Sequence, residues 1–172
     1  MILPISTYGS SVLRKKAEPV KEITPELIEL ACNMLETMYK ANGIGLAAPQ
    51  VGKNIRLVVI DLAKEEEERK PIMLFNLEAK PEDGENPLET GEEGCLSVPD
   101  IWANVSRHSR IRLTYTNEKG EKVILRNVTG KLARCAQHEQ DHLNGILFVD
   151  KISAADRAIN ASKLKRMAKG KK

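Results

Sequence analysis

Gln137-His138-Glu139-Gln140-Asp141-His142 limits what this chain can fold into more than any other stretch. Two histidines four residues apart, with a glutamate after the first, form the H-E-x-x-H pattern, which works only on an α-helix. Positions i and i+4 of a helix share a face, so His138 and His142 can offer imidazole nitrogens to one metal ion. Glu139 lies about 100° further round, where it reaches a water beside the metal without being a ligand. The fold must then carry a polar-faced helix close to whatever supplies the remaining ligand. The plain alternative is a solvated polar helix face.

A hydrolytic metal site needs a third protein ligand and one open position. Phe148 stands where the metzincin spacing would put a third histidine, and neither Glu nor His follows His142. Asp150 and Asp156 are the acidic candidates on that side, and an upstream cysteine is the first place to look instead. Cys135 lies one helical turn before His138, and three ligands from one straight helix fall nearly in a row, which suits a tetrahedral site badly. Cys95, in Glu92-Glu93-Gly94-Cys95-Leu96-Ser97, belongs to a separate extended segment and could approach from another direction. A buried thiol accounts for Cys95 equally well from the residues alone. Cys32, inside an apolar helical run, reads as a small core residue.

The remaining chain supplies the scaffold. Its 172 residues, 41% hydrophobic and 30% charged, predict one globular domain over residues 1–172. No apolar run has the length of a membrane span, and residues 1–5 lack a secretory pattern. Three scattered cysteines suggest no disulfide framework and fit a reducing compartment.

Residues 11–17 predict a short helix before Pro19. A longer helix follows, with Thr24 as N-cap, Pro25 first, an apolar stripe from Leu27 to Met38, and Asn42-Gly43 at its end. Residues 43–50 are glycine-bearing, with no strand leading in and no helix opening after them, so they do not read as a phosphate cradle. Residues 55–61 and 72–77 predict buried strands. The charge run 64–70 and residues 81–86 read as solvated loops. Residues 97–99 are expected to end the extended piece that carries Cys95. Residues 110–116 and 121–128 flank a hairpin turn, and His108 is expected to be exposed. Thr129 and Asn144-Gly145 bound the motif helix, with Leu132, Ala136 and Leu143 facing a sheet. Ser153 opens a last helix toward Met167.

Three stretches together carry a family resemblance. Gly43-Ile44-Gly45-Leu46-Ala47-Ala48-Pro49-Gln50, Glu93-Gly94-Cys95-Leu96-Ser97 and Gln137-His138-Glu139-Gln140-Asp141-His142 resemble, in order, the three motifs of peptide deformylases. With Val12-Leu13-Arg14, the resemblance extends over nearly the whole chain. It implies an α+β fold, with short, mostly antiparallel strands around a central helix bearing the motif, and a C-terminal helix. It implies removal of the formyl group from N-formylmethionyl chains, releasing formate. Cys95, His138 and His142 would bind the metal, Glu139 would move the proton, and Gln50 with the Leu96 N–H would stabilise the oxyanion. The Gly45 backbone would meet the substrate, and Ile44, Glu93, Leu96, Arg134 and Cys135 would border the methionine pocket.

One divalent ion is expected. Two imidazoles and a thiolate suit zinc, iron, cobalt or nickel, and the resemblance favours ferrous iron. Trp102 stands where many relatives have arginine, and Gln140 replaces a usually apolar residue but faces away from the metal. The expected partner is the nascent formyl-Met polypeptide in a bacterial-type cytoplasm, with no membrane. Residues 151–172 hold eight Lys or Arg against one Asp, more than the chain's whole excess of +3, and read as a ribosome contact or a solubilising end. A zinc endopeptidase and a catalytically silent binding module are the alternative classes.

Overall fold

The structure, a computed structural model, describes residues 1–170. Lys171 and Lys172, counted in the basic segment above, lie outside the described residues. Helix α1 spans Pro25–Lys40, and its start is chemical: the Thr24 side chain accepts the Leu27 N–H and proline takes the first helical position. Its end is a Schellman motif. Asn42 adopts φ 57°, Gly43 N–H donates to Met38 and Asn42 N–H donates to Tyr39. Ala31, Met34, Leu35 and Met38 form the buried stripe. Cys32 is exposed, not core, because its helical phase places it with Glu29 and Glu36 on the solvent side.

Five antiparallel strands follow the order β1 (Gly45–Ala47), β2 (Leu57–Ile60), β3 (Ile72–Pro81), β6 (Ile111–Thr116) and β7 (Lys122–Val128). Strands β4 (Leu88–Cys95) and β5 (Val98–His108) form a separate hairpin. Strand β2 is apolar throughout because it is covered on both faces. Leu57 and Val59 pack with α1, while Val58 and Ile60 pack with helix α2 (Gly130–Leu143), as a two-residue period requires. Leu132, partly buried, and the buried Ala136 and Leu143 of α2 rest on that second face as expected, joined by Ala133.

The opposite side of α2 meets the hairpin. Gln137 exchanges two hydrogen bonds with the His108 backbone, so α2 lies between sheet and hairpin. Gln140 indeed turns away from the histidines, its amide bonded both ways to the Ala79 backbone. The helix ends in a second Schellman motif, with Gly145 at φ 75°. A Cβ there would lie 2.6 Å from the Arg14 carbonyl oxygen, so glycine is required twice over. The last helix, α3 (Ala154–Lys169), begins where the Ser153 hydroxyl accepts the Asp156 N–H and is anchored by buried Leu164.

Several expectations need correction. Residues 11–17 hold only a 3-10 turn, Ser11–Arg14. No strand leads into residues 43–50, since α1 precedes them, but Gly45–Ala47 themselves pair with β2, and a 3-10 turn, Ala48–Val51, opens at the end where none was expected. The extended piece ends earlier than expected, at Cys95; Leu96 and Ser97 form a turn, and Val98 and Pro99 already belong to the eleven-residue β5. The alternation Ile101, Ala103, Val105 was the signal for that strand, since these face the interior while Trp102, Asn104 and Ser106 do not.

Candidate active site

Three segments meet at one point: the end of β4, the middle of α2, and the β1 strand with its following turn. The ligand atoms of Cys95, His138 and His142 all lie within 4.8 Å of one another. Cys95 Sγ is 3.2 Å from His142 Nε2. His138 turns Nδ1 to Glu93 Oε1 at 2.8 Å, which leaves Nε2 for the cluster. The other candidates for a third ligand are engaged elsewhere. Asp150 pairs with Arg14, and Asp156 sits at the start of α3. Burial, then Glu139 and Glu93, push the Cys135 thiol well above its ordinary value, so it stays neutral.

Glu139 is 4% exposed, and its Oε2 has no hydrogen-bond partner among the described residues. Burial pushes its pKa up to about 7; His138 only partly offsets this, and Glu93 adds to it. Burial works against a charged His138, yet Cys95 and Glu93 outweigh it and hold that pKa up to about 10. Burial and the charge on His138 keep His142 well below its ordinary range. A thiol, two imidazoles and a free carboxylate oxygen beside them fit a divalent metal and a water.

Gln50, 1% exposed, is fixed at both ends of its amide. Its Oε1 accepts the Ala47 N–H at 2.9 Å, and Nε2 donates to Ser97 Oγ at 3.1 Å and Cys95 Sγ at 3.5 Å. Leu96 follows Cys95 in the hairpin turn.

A cavity of about 680 Å³ opens onto these groups, and Ile44, Gly45, Glu93, Leu96, Arg134 and Cys135 all line it. The Arg134 guanidinium is drawn onto the hairpin, donating to Glu93 Oε2, the Val105 carbonyl and the Glu89 carbonyl. The Glu93 carboxylate is occupied by Arg107, Arg134 and His138. Burial alone would raise its pKa, but Arg107 and then His138 hold it well below the usual range. Trp102, 65% exposed, stands at the cavity mouth, and His108 is exposed as expected. Arg107 and Asp141 join this network without having been singled out from the sequence. Arg107 occupies the next inward position of the Ile101, Ala103, Val105 alternation, a place where a charge signals a buried partner.

The model of the polypeptide deformylase family matches residues 2–158. The chain belongs to that family. Peptide deformylase 2 of Gloeobacter violaceus is 48% identical over 87% of this chain and 79% of its own length. A peptide deformylase of Prosthecochloris aestuarii is 45% identical over 99% of this chain and 91% of its own. Among solved structures, the deformylase of Thermus thermophilus superposes with a TM-score of 0.89 at 39% identity, covering 99% of both chains. That of Synechococcus elongatus, in complex with actinonin, gives 0.86 at 43% identity over 94% of this chain and 87% of that one. Deformylases are metal-dependent hydrolases that remove the formyl group from N-terminal formylmethionine of new polypeptides, and this chain is one by descent. Among the described residues no helix is long and apolar enough to cross a membrane.

Proposed function

We propose that Cys95, His138 and His142 hold one divalent metal ion, and that Glu139, Gln50 and the Leu96 N–H hydrolyse the formyl amide beside it. The observation that carries this reading is the convergence of one thiol and two imidazoles next to an unpartnered oxygen of Glu139. The ion supplies Lewis acidity, which makes a water nucleophilic near neutral pH. Glu139, buried on α2 with one carboxylate oxygen unpartnered among the described residues, is placed to take a proton from water and return it to the leaving amine. The Gln50 amide, clamped by Ala47 and Ser97, turns to the developing oxyanion the N–H it gives to Cys95 Sγ, and the Leu96 N–H serves the same oxygen.

Ile44, Gly45, Glu93, Leu96, Arg134 and Cys135 border the cavity assigned to the methionine side chain. Arg134 contributes its stem there, because its charge is turned to the hairpin. Ferrous iron is the proposed ion, with zinc, nickel and cobalt as substitutes, since the donor set admits all four. The test is formate release from a formyl-Met peptide by anaerobically purified protein reloaded with each ion in turn. Turnover should require metal and be highest with Fe(II). Equal cleavage of an unformylated peptide would reassign the site to an endopeptidase.

One domain, residues 1–172, is proposed to act on nascent chains in the cytoplasm, with the basic segment 151–172 against ribosomal RNA. Lys165, Arg166 and Lys169 are exposed on α3, whereas Leu164 anchors it. Replacing Lys165, Arg166 and Lys169 by glutamate should spare free peptides and weaken salt-sensitive ribosome binding. Unchanged binding across several salt concentrations rules the contact out.

A further inference from the structure

The proposed ligands come from two segments, β4 and α2, that nothing covalent holds at a fixed separation. One buried side chain from a third segment joins both. Arg107 of β5 has a side chain only 3% exposed. Its Nε and Nη2 donate to Glu93 Oε2 and Oε1 at 2.9 and 2.8 Å, and its Nη1 donates to Asp141 Oδ2 at 2.6 Å. Glu93 lies two residues before Cys95, and Asp141 directly precedes His142. Glu93 Oε1 is also the oxygen that faces His138 Nδ1.

A guanidinium suits this place and an ammonium does not. Its planar fork grips both oxygens of one carboxylate and still sends a third N–H in another direction. With Glu93 Oε1 shared between Arg107 and His138, the guanidinium plane sets the plane of the carboxylate. The carboxylate in turn holds the proton on His138 Nδ1 and sets the ring orientation, which keeps Nε2 aimed at the cluster.

Two simpler explanations fit less well. Arg107 does not line the cavity, so it is not a substrate contact. Buried charges are poor sources of net stability, because desolvation offsets their attraction, and apolar packing would serve a hairpin at least as well. Both carboxylates have a second cation besides, Arg134 at 2.7 Å for Glu93 and Lys151 at 2.9 Å for Asp141. Neutralisation alone therefore does not call for Arg107; the geometry does.

We propose that Arg107 is a positioning residue of the metal centre, acting on His138 through Glu93 and tying β4 to α2 through Asp141. This rests on the ligand set proposed above. Arg107→Lys keeps the charge and removes the fork, and the second cations on Glu93 and Asp141 should let it fold. It is expected to retain the far-UV circular dichroism of the unsubstituted protein while binding Co(II) ~10-fold more weakly, the low end of what losing a metal ligand's own outer partner costs, because Glu93 itself stays in place. The visible absorption of bound Co(II) should change, because the ligand geometry relaxes. With saturating metal, kcat should fall by a similar factor while KM for a formyl-Met peptide stays within about twofold.

Arg107→Gln, which keeps an N–H donor without charge or fork, is the second variant and should behave alike. A folded variant of either kind with unaltered Co(II) affinity and spectrum overturns the proposal, even if its thermal midpoint drops. If neither variant folds while the metal-free unsubstituted protein does, Arg107 is a folding residue and the proposal also falls. Unsubstituted protein that binds no Co(II) would sink the ligand set and this proposal with it. Unaltered binding in the variants sinks this proposal alone.

Discussion

The Glu139 carboxylate lies directly over Gly45: a Cβ built on Gly45 would stand 2.6 Å from Glu139 Oε1. The same Cβ would be 2.8 Å from Cys135 Sγ, so neither neighbour on α2 leaves room for it. Gly45→Ala should therefore displace the carboxylate and lower kcat by ~10-fold or more, with metal content unchanged. Steady-state kinetics and metal analysis on the same preparation check this. A rise in KM alone would make Gly45 a peptide contact and nothing more.

Glu139 should also report itself through pH. In the metal-free protein its pKa is raised from 4.5 to about 7, chiefly by burial. The folded chain then keeps a proton that the unfolded chain has lost between those two values. The contribution is full below about pH 4.5, declines as pH rises to about 7, and is flat above that. Urea unfolding of metal-free protein should show stability falling across this window, on the order of 3 kcal/mol, relative to Glu139→Gln. Parallel curves would count against the raised pKa. Loaded with metal, Glu139→Gln should keep the ion and lose ~10²–10⁴ in turnover.

Gln50 is held at both ends of its amide. Gln50→Ala should lower kcat by ~10²–10³ if the amide N–H serves the oxyanion. Ser97→Ala removes the hydroxyl that accepts from Gln50 Nε2 and should reproduce a smaller part of the loss. A change confined to KM in Gln50→Ala would reduce its role to ground-state binding.

The three cysteines should separate cleanly. Cys95→Ser is expected to abolish or sharply weaken metal binding and activity together. Cys135→Ser should keep the metal, with a modest change in KM, because the buried neutral thiol borders the cavity. Cys32→Ser lies on the solvent face and should shift stability by less than ~0.5 kcal/mol. Metal content and activity measured on all three decide the ligand; tight metal in Cys95→Ser with loss in Cys135→Ser would reverse the assignment.

Trp102 stands at the cavity mouth with its ring packed on Gly94. Its exposed face is well placed for substrate residues that follow methionine. Trp102→Ala should raise KM for tri- and tetrapeptides more than for formyl-Met alone. Equal effects on all lengths would leave the ring a packing group.

What the sequence determined by itself was local. Thr24 and Pro25 start α1, Asn42 and Gly145 stop two helices, and the four-residue spacing puts His138 and His142 on one face, because each depends on neighbours within a turn or two of chain. Even the exposure of Cys32 was written there, in its phase with Glu29 and Glu36. Three motifs in family order also made the activity legible before any coordinates. The tertiary structure decided what depends on distance. It brought Cys95, not Cys135 or an aspartate, to the two imidazoles, and it folded the chain back after Leu96 and Ser97 into a hairpin whose second strand carries Arg107 inward. Burial and field then raised Glu139 and lowered Glu93, two carboxylates that the sequence alone presents as equals. Those effects fall off over a few ångströms of space rather than residues of chain, so only the folded arrangement could supply them.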